Sequence, residues 1–108
     1  MTNFLILSTT TSHREAAQKI ANALVESRLA ACVQIAGPVT SVYRWQGKVE
    51  QAQEWTLSVK TSQSHFEEVI AKIARLHDYD CPEIIATPIV AGSEAYLQWL
   101  GEQLGPQT

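Results

Sequence analysis

Along one short segment this chain carries His77, Asp78, Asp80, Cys81 and Glu83: an imidazole, a thiol and three carboxylates. Each of these groups, once deprotonated, is a ligand for copper or zinc. Their spacing matches no standard metal motif, and an Asp at a turn commonly caps backbone N–H groups with its own oxygen. Two readings therefore stay open. In one, His77 and Cys81 ligate a metal, with Cys81 favouring a soft ion such as Cu(I); in the other, the segment is a solvated or pocket-lining loop. A second set comprises Tyr43, Trp45, Lys60, Tyr79, Glu83 and Trp99. Aromatic residues and Arg are enriched at the centres of protein interfaces, so Tyr43, Arg44, Trp45, Trp55, Tyr96 and Trp99 have a simple role in joining subunits. The sharper reading places Lys60, His77, Tyr79 and Glu83 around a cleft between subunits that takes a small anionic ligand or a metal complex.

Catalytic signatures are missing: the chain has no G-x-S-x-G elbow, P-loop, G-x-G-x-x-G or H-E-x-x-H. His77 and Glu83 have the chemistry of an acid–base pair, but one histidine and one carboxylate so placed occur in many proteins. The expectation is a non-enzymatic protein that requires no cofactor.

These residues need elements to position them. Phe4 to Thr9 is a short apolar run that reads as a buried strand. Ser12-His13-Arg14-Glu15 has the form of a capping box, and Ala17, Ile20, Ala21 and Leu24 follow at helical spacing. A strand then begins near Ala30, is interrupted at Gly37-Pro38 by a bulge or bend on a sheet edge, and resumes to Trp45. Gln46-Gly47 is the natural reversal, because Gly tolerates the positive φ of tight hairpin turns. From Lys48 to Lys60, Val49, Trp55, Leu57 and Val59 alternate with polar residues at period two. Ser64-His65-Phe66-Glu67 reads as a second capping box, opening a helix with Phe66, Val69, Ile70, Ile73 and Leu76 on one face. A strand from Glu83 to Val90 contains Pro88, another edge signal, and a last helix carries Tyr96, Trp99 and Leu100 before Gly105-Pro106. Helix starts and solvent account for His13 and His65, and Cys32 reads as a small buried hydrophobe.

The order βαββαβ plus a C-terminal helix predicts an α+β fold, a ferredoxin-like antiparallel sheet with two helices on one face and a long hairpin, in a single domain over residues 1–108. Trp55, Leu57 and Val59 are expected to demand cover for the other face. At about 3.3 Å per residue the segment from Lys48 to Lys60 extends roughly 40 Å, more than a compact globule of this size spans. The hairpin is therefore expected to overhang its own domain and to act as an oligomerisation arm.

Composition bounds the rest. With 108 residues, 45% hydrophobic and 18% charged, the chain is one ordinary globular domain. A net charge of -3 without a basic stripe argues against nucleic acid as a partner. The opening residues lack a signal-peptide pattern and no run is long enough for a membrane span, while Cys32 and Cys81 form no disulfide framework. The expected compartment is the cytoplasm.

Five strings of the sequence together resemble the CutA divalent-cation tolerance proteins: Leu29-Ala30-Ala31-Cys32-Val33, Ser41 to Glu50, Lys60-Thr61, His77-x-Tyr79-x-x-Pro82-Glu83-Ile84-Ile85 and Tyr96-Leu97-x-Trp99-Leu100. The resemblance implies a tight homotrimer of ferredoxin-like subunits, similar to the PII signalling proteins, and a role in tolerance of copper or other divalent cations. It leaves an alternative, a PII-like module that holds a small metabolite in its intersubunit cleft. Two departures stand out. The loop common in the family as His-Pro-Tyr-Glu-x-Pro-Glu is here His77-Asp78-Tyr79-Asp80-Cys81-Pro82-Glu83, and a Cys that some members carry at the end of the first strand is here Ser8.

Overall fold

The computed structural model describes residues 2–106. Strand β1 (Phe4–Thr11) leads to helix α1 (Arg14–Glu26), then to strands β2 (Cys32–Trp45) and β3 (Lys48–Ser62). A 3-10 turn at Gln63–His65 precedes helix α2 (Phe66–Leu76), strand β4 (Ile85–Pro88) and helix α3 (Glu94–Gln103). The sheet has the order β2-β3-β1-β4, and every described neighbouring pair is antiparallel. That is the predicted ferredoxin-like arrangement with an added C-terminal helix.

The two faces of this sheet differ. Leu7, Leu57 and Val59 are shielded from solvent and pack with Ala17, Ile20, Ala21 and Leu24 of α1 and Val69 and Ile73 of α2. The helical spacing in the sequence marked those four α1 positions. The expectation that Trp55, Leu57 and Val59 call for cover on the far face is corrected: they point toward the helices. Residues opposite one another share a face, so the far face carries Ile6 with Lys60, Ser8 with Ser58 and Thr10 with Thr56. Cys32 lies there as well, paired with Lys60 and only half buried, outside the core in which it was expected.

Helix ends also depart from expectation. Neither predicted capping box forms, since His13 and His65 are the N-cap residues and neither side chain caps its helix. His65 is buried rather than solvated. Its Nε2 must donate to the Gly105 carbonyl at 2.7 Å, which leaves Nδ1 to accept from the Ser62 hydroxyl at 2.6 Å. At the far end of α1, Arg28 takes φ 61°. Leu29 N–H bonds the Leu24 carbonyl and Arg28 N–H that of Val25, the paired bonds that close a helix through a left-handed residue. The Arg28 guanidinium then donates to the carbonyls of Glu102 and Gln103, fastening the end of α3.

The hairpin is as long as predicted and gives the molecule extents of 44 × 25 × 21 Å. Gln46 and Gly47 both have positive φ, as a two-residue turn of the primed type requires. The register shifts between Ala36 and Val39, so the interruption at Gly37-Pro38 is a bulge on the edge strand β2. A Cβ at Gly37 would come within 2.8 Å of the Trp55 ring. Gly37 thus seats Trp55 at the point where the arm leaves the body. The strand expected from Glu83 to Val90 is only four residues long and, as predicted, an edge.

Thr9 is fully buried on the helix-facing side, and its hydroxyl has no hydrogen-bond partner among the described residues. An unsatisfied buried hydroxyl costs about 1–3 kcal/mol. Thr9→Val is expected to raise unfolding stability by about 1 kcal/mol in urea titrations; a fall would show that the hydroxyl is satisfied.

Candidate functional site

A cavity of about 620 Å³ opens along the arm, from Glu54 near its base to Trp45 near its tip, beside the loop after α2. Its walls include Ser41, Tyr43 and Trp45 from β2, Thr10 from β1 and Glu54 from β3, with Tyr79, Asp80, Cys81 and Glu83 from the loop. Pairing explains the β2 and β3 contributions. Beyond the bulge Val39 lies opposite Glu54, Ser41 opposite Ala52 and Tyr43 opposite Glu50, so these residues present one continuous face. That face runs on into the sheet side away from the helices.

His77 anchors the loop. Its side chain is fully buried, and Nε2 lies 2.7 Å from the Thr10 carbonyl, an acceptor only, so Nε2 carries the proton. Nδ1 accepts from the Tyr79 backbone N–H at 3.0 Å. Both nitrogens are thus engaged in a neutral ring, whose centroid lies 4.7 Å from that of Tyr79. Tyr79 in turn donates its hydroxyl to Glu54 Oε2 at 2.9 Å. Burial, the hydrogen bond to Glu54 and that residue's charge together push the Tyr79 phenol up to about 12. Glu54 is only 9% exposed although it stands among polar residues on β3.

The structure therefore gathers Tyr43, Trp45, Tyr79, Cys81 and Glu83 from the predicted set around one cavity, with Asp80 beside them. Lys60 is not among them. It lies six residues along β3 from Glu54, roughly 20 Å away, where its Nζ bonds Gln34 Oε1 at 3.0 Å. Trp99 sits on α3 against Tyr96, with ring centroids 5.5 Å apart, and does not line the cavity. His77, expected as a metal ligand, has no free lone pair and acts as the support of Tyr79. Among the described residues no group of three His, Cys, Asp or Glu side chains comes together to hold a metal ion. Sequence reasoning missed Glu54, whose only signal was a carboxylate in the same alternation as Thr56, Ser58 and Lys60.

The topology and this cavity define a ferredoxin-like α+β domain extended by a hairpin arm, with an acidic, aromatic-walled pocket along the arm. The family model described as CutA1 divalent ion tolerance protein matches residues 5–103. A divalent-cation tolerance protein CutA of Thermus thermophilus is 49% identical over 96 residues, 89% of this chain and 93% of the relative. A chloroplastic CutA of Arabidopsis thaliana is 45% identical over 96 residues, of which this chain spans 53% of the relative's length. Among solved structures, a divalent cation tolerance protein of Thermus thermophilus superposes with a TM-score of 0.92 at 46% identity, covering 94% of this chain and 99% of that one. A periplasmic CutA of Archaeoglobus fulgidus gives 0.90 at 38% identity, covering 93% and 97%. The chain belongs to the CutA divalent-cation tolerance family. No helix among the described residues is long and apolar enough to cross a membrane.

The raised Tyr79 phenol has a consequence for stability. A group whose folded value lies above its ordinary value of 10 stabilises the fold fully below pH 10 and loses that contribution as pH rises toward about 12. Unfolding midpoints of wild type are expected to fall across this window more steeply than those of Tyr79→Phe. In Glu54→Gln, ultraviolet titration is expected to show the Tyr79 phenol ionising at lower pH than in wild type; an unmoved transition would rule out the Glu54 contact as a cause.

Proposed function

We propose that this protein serves divalent-cation tolerance by binding rather than catalysis, as a homotrimer whose pocket selects positively charged ligands. One observation carries the reading: the cavity is lined by three carboxylates, Glu54, Asp80 and Glu83, and a thiol, Cys81, with no Lys or Arg on its walls among the described residues. Clefts lined by one sign of charge focus the field and concentrate the opposite ion. This lining argues against the small anionic ligand expected from the sequence, with Lys60 engaged elsewhere.

Copper or another divalent cation is the ligand that the family name suggests. The donors of one chain do not form a closed coordination set, so a metal ion held here is weak or takes further donors from a neighbouring copy; Cys81 supplies the preference for a soft ion. Calorimetric titration is expected to show uptake of Zn²⁺ or Cu²⁺ that falls about tenfold or more in Glu54→Gln with Cys81→Ser. Equal binding in that double variant would remove the pocket from the reading.

The assembly follows from the arm. Val42, Tyr43, Trp45 and Val49 are all exposed on it, and an unpaired strand edge carrying such residues invites a partner. Light scattering at micromolar concentration is expected to give three times the mass of the chain, and a monomer would overturn this arrangement. Cavity size favours the second reading, a PII-like module with a small organic ligand, since about 620 Å³ lies within the range of small-molecule sites.

A further inference from the structure

Two buried histidines of this chain answer a second proton differently. His65 accepts from the Ser62 hydroxyl at Nδ1 and donates from Nε2 to the Gly105 carbonyl. A hydroxyl both gives and takes hydrogen bonds, and that of Ser62 lies 2.8 Å from the Ser64 hydroxyl. A protonated His65 is therefore accommodated: Nδ1–H donates to Ser62 Oγ, and Ser62 turns its own hydrogen to Ser64. His77 has no such freedom. Its Nε2 donates to the Thr10 carbonyl, and its Nδ1 accepts from the backbone N–H of Tyr79. A backbone N–H cannot become an acceptor, so a proton on Nδ1 would confront the hydrogen of Tyr79, and one of the two must give way.

The surroundings of the ring show which. Strand β1 meets it with the Thr10 carbonyl, whose bond survives in either state. Strand β3 reaches it through Tyr79, whose hydroxyl donates to Glu54. The loop itself brings Asp78, a largely exposed side chain with Oδ1 3.6 Å from Nδ1, and no other carboxylate among the described residues pairs with the ring. Arg75, the last charge of α2, lines a separate groove with Ser27 and Leu29. Asp78 is thus placed to accept a new hydrogen on Nδ1, and Tyr79 is the group displaced. Among the described residues, the Tyr79 N–H is also the one backbone group of residues 78–83 that makes a hydrogen bond. Without it, side chains alone fasten that stretch.

We propose that His77 is an acid-operated latch on the loop that walls the cavity. A proton taken from solvent at Nδ1 displaces the Tyr79 N–H to water, Asp78 accepts the new hydrogen, and the Tyr79 hydroxyl leaves Glu54 as its backbone moves. Tyr79, Asp80, Cys81 and Glu83 all stand on this loop, so the cavity keeps that wall while the ring is neutral and loses it on acidification. Every bond involved lies within one chain, and the latch works whether or not the cavity takes a cation. The open state binds one proton more than the closed one. Opening is therefore favoured by up to about tenfold for each pH unit below the ordinary imidazole value of about 6.5.

The test is NMR on the intact, metal-free, ¹⁵N-labelled protein between about pH 8 and about pH 5, the range in which histidine serves as a switch. It reads the ring nitrogens of His77 and the exchange protection of the Tyr79 amide, corrected for the intrinsic pH dependence of exchange. The expected result is a ring protonated on Nε2 at the upper end, and Tyr79 protection that falls by up to about tenfold per pH unit below about 6.5 while the amides of β1 keep theirs. The Gly105 amide, bonded to the Arg28 carbonyl, should stay protected throughout. In Asp78→Asn the loss at Tyr79 should need a lower pH, and in Tyr79→Phe, which lacks the hold on Glu54, a higher one. Tyr79 protection that is unchanged at the acid end, or lost only together with that of β1, would overturn the latch. So would a His77 ring that carries its proton on Nδ1 at the upper end.

Discussion

Alternation along β3 couples the core, the pocket and the arm through one register. Leu57 and Val59 face the helices, and the alternate residues Glu54, Thr56, Ser58 and Lys60 face the other way. Side chains in a strand change face with every residue, so a slip by one would drive Glu54 into the core and strip Leu57 from it. Pairing with β1, where Leu7 meets Val59 and Thr9 meets Leu57, excludes that slip. The acid of the pocket is thus positioned by the same constraint that buries the core, and neither can be shifted without the other.

Much of the fold was legible because local periodicity and tertiary role agree. The α1 stripe, the turn at Gln46-Gly47, the edge signals at Pro38 and Pro88 and the length of the hairpin all follow from spacing or backbone chemistry. The helix starts were misjudged for a different reason. A capping box competes with other partners for the same side chains, and Ser62, Ser64 and the Gly105 carbonyl take up His65 and its neighbours in a network reaching the far end of the chain. The direction of Trp55, Leu57 and Val59 was also misjudged, since alternation reports two faces without saying which one the helices cover.

The site was legible in its parts and not in its logic. The loop from His77 to Glu83 drew attention through ligand-type residues, yet its first member is a buried support with both nitrogens engaged. The residue that gives the cavity its character, Glu54, looked like one more solvated position on β3. Its burial comes from a loop arriving from beyond α2, and among the described residues Tyr79 alone makes the connecting bond. Long-range closure of this kind leaves no mark in a sequence window. The same distance explains Lys60, which shares the strand and the face of Glu54 but meets Gln34 instead.

The bulge at Gly37-Pro38 divides the protein into regions answerable to different judges. On its body side, the helix-facing residues of β2 and β3, Val33, Ile35, Leu57 and Val59, are tested by folding itself, through their packing beneath α1 and α2. On its outer side, the arm contributes nothing to that interior: Glu54 meets Tyr79, and Val42, Trp45 and Val49 present apolar surface outward. A variant altered only toward the tip of the arm would keep the core of its own chain, and its defect would surface only in company.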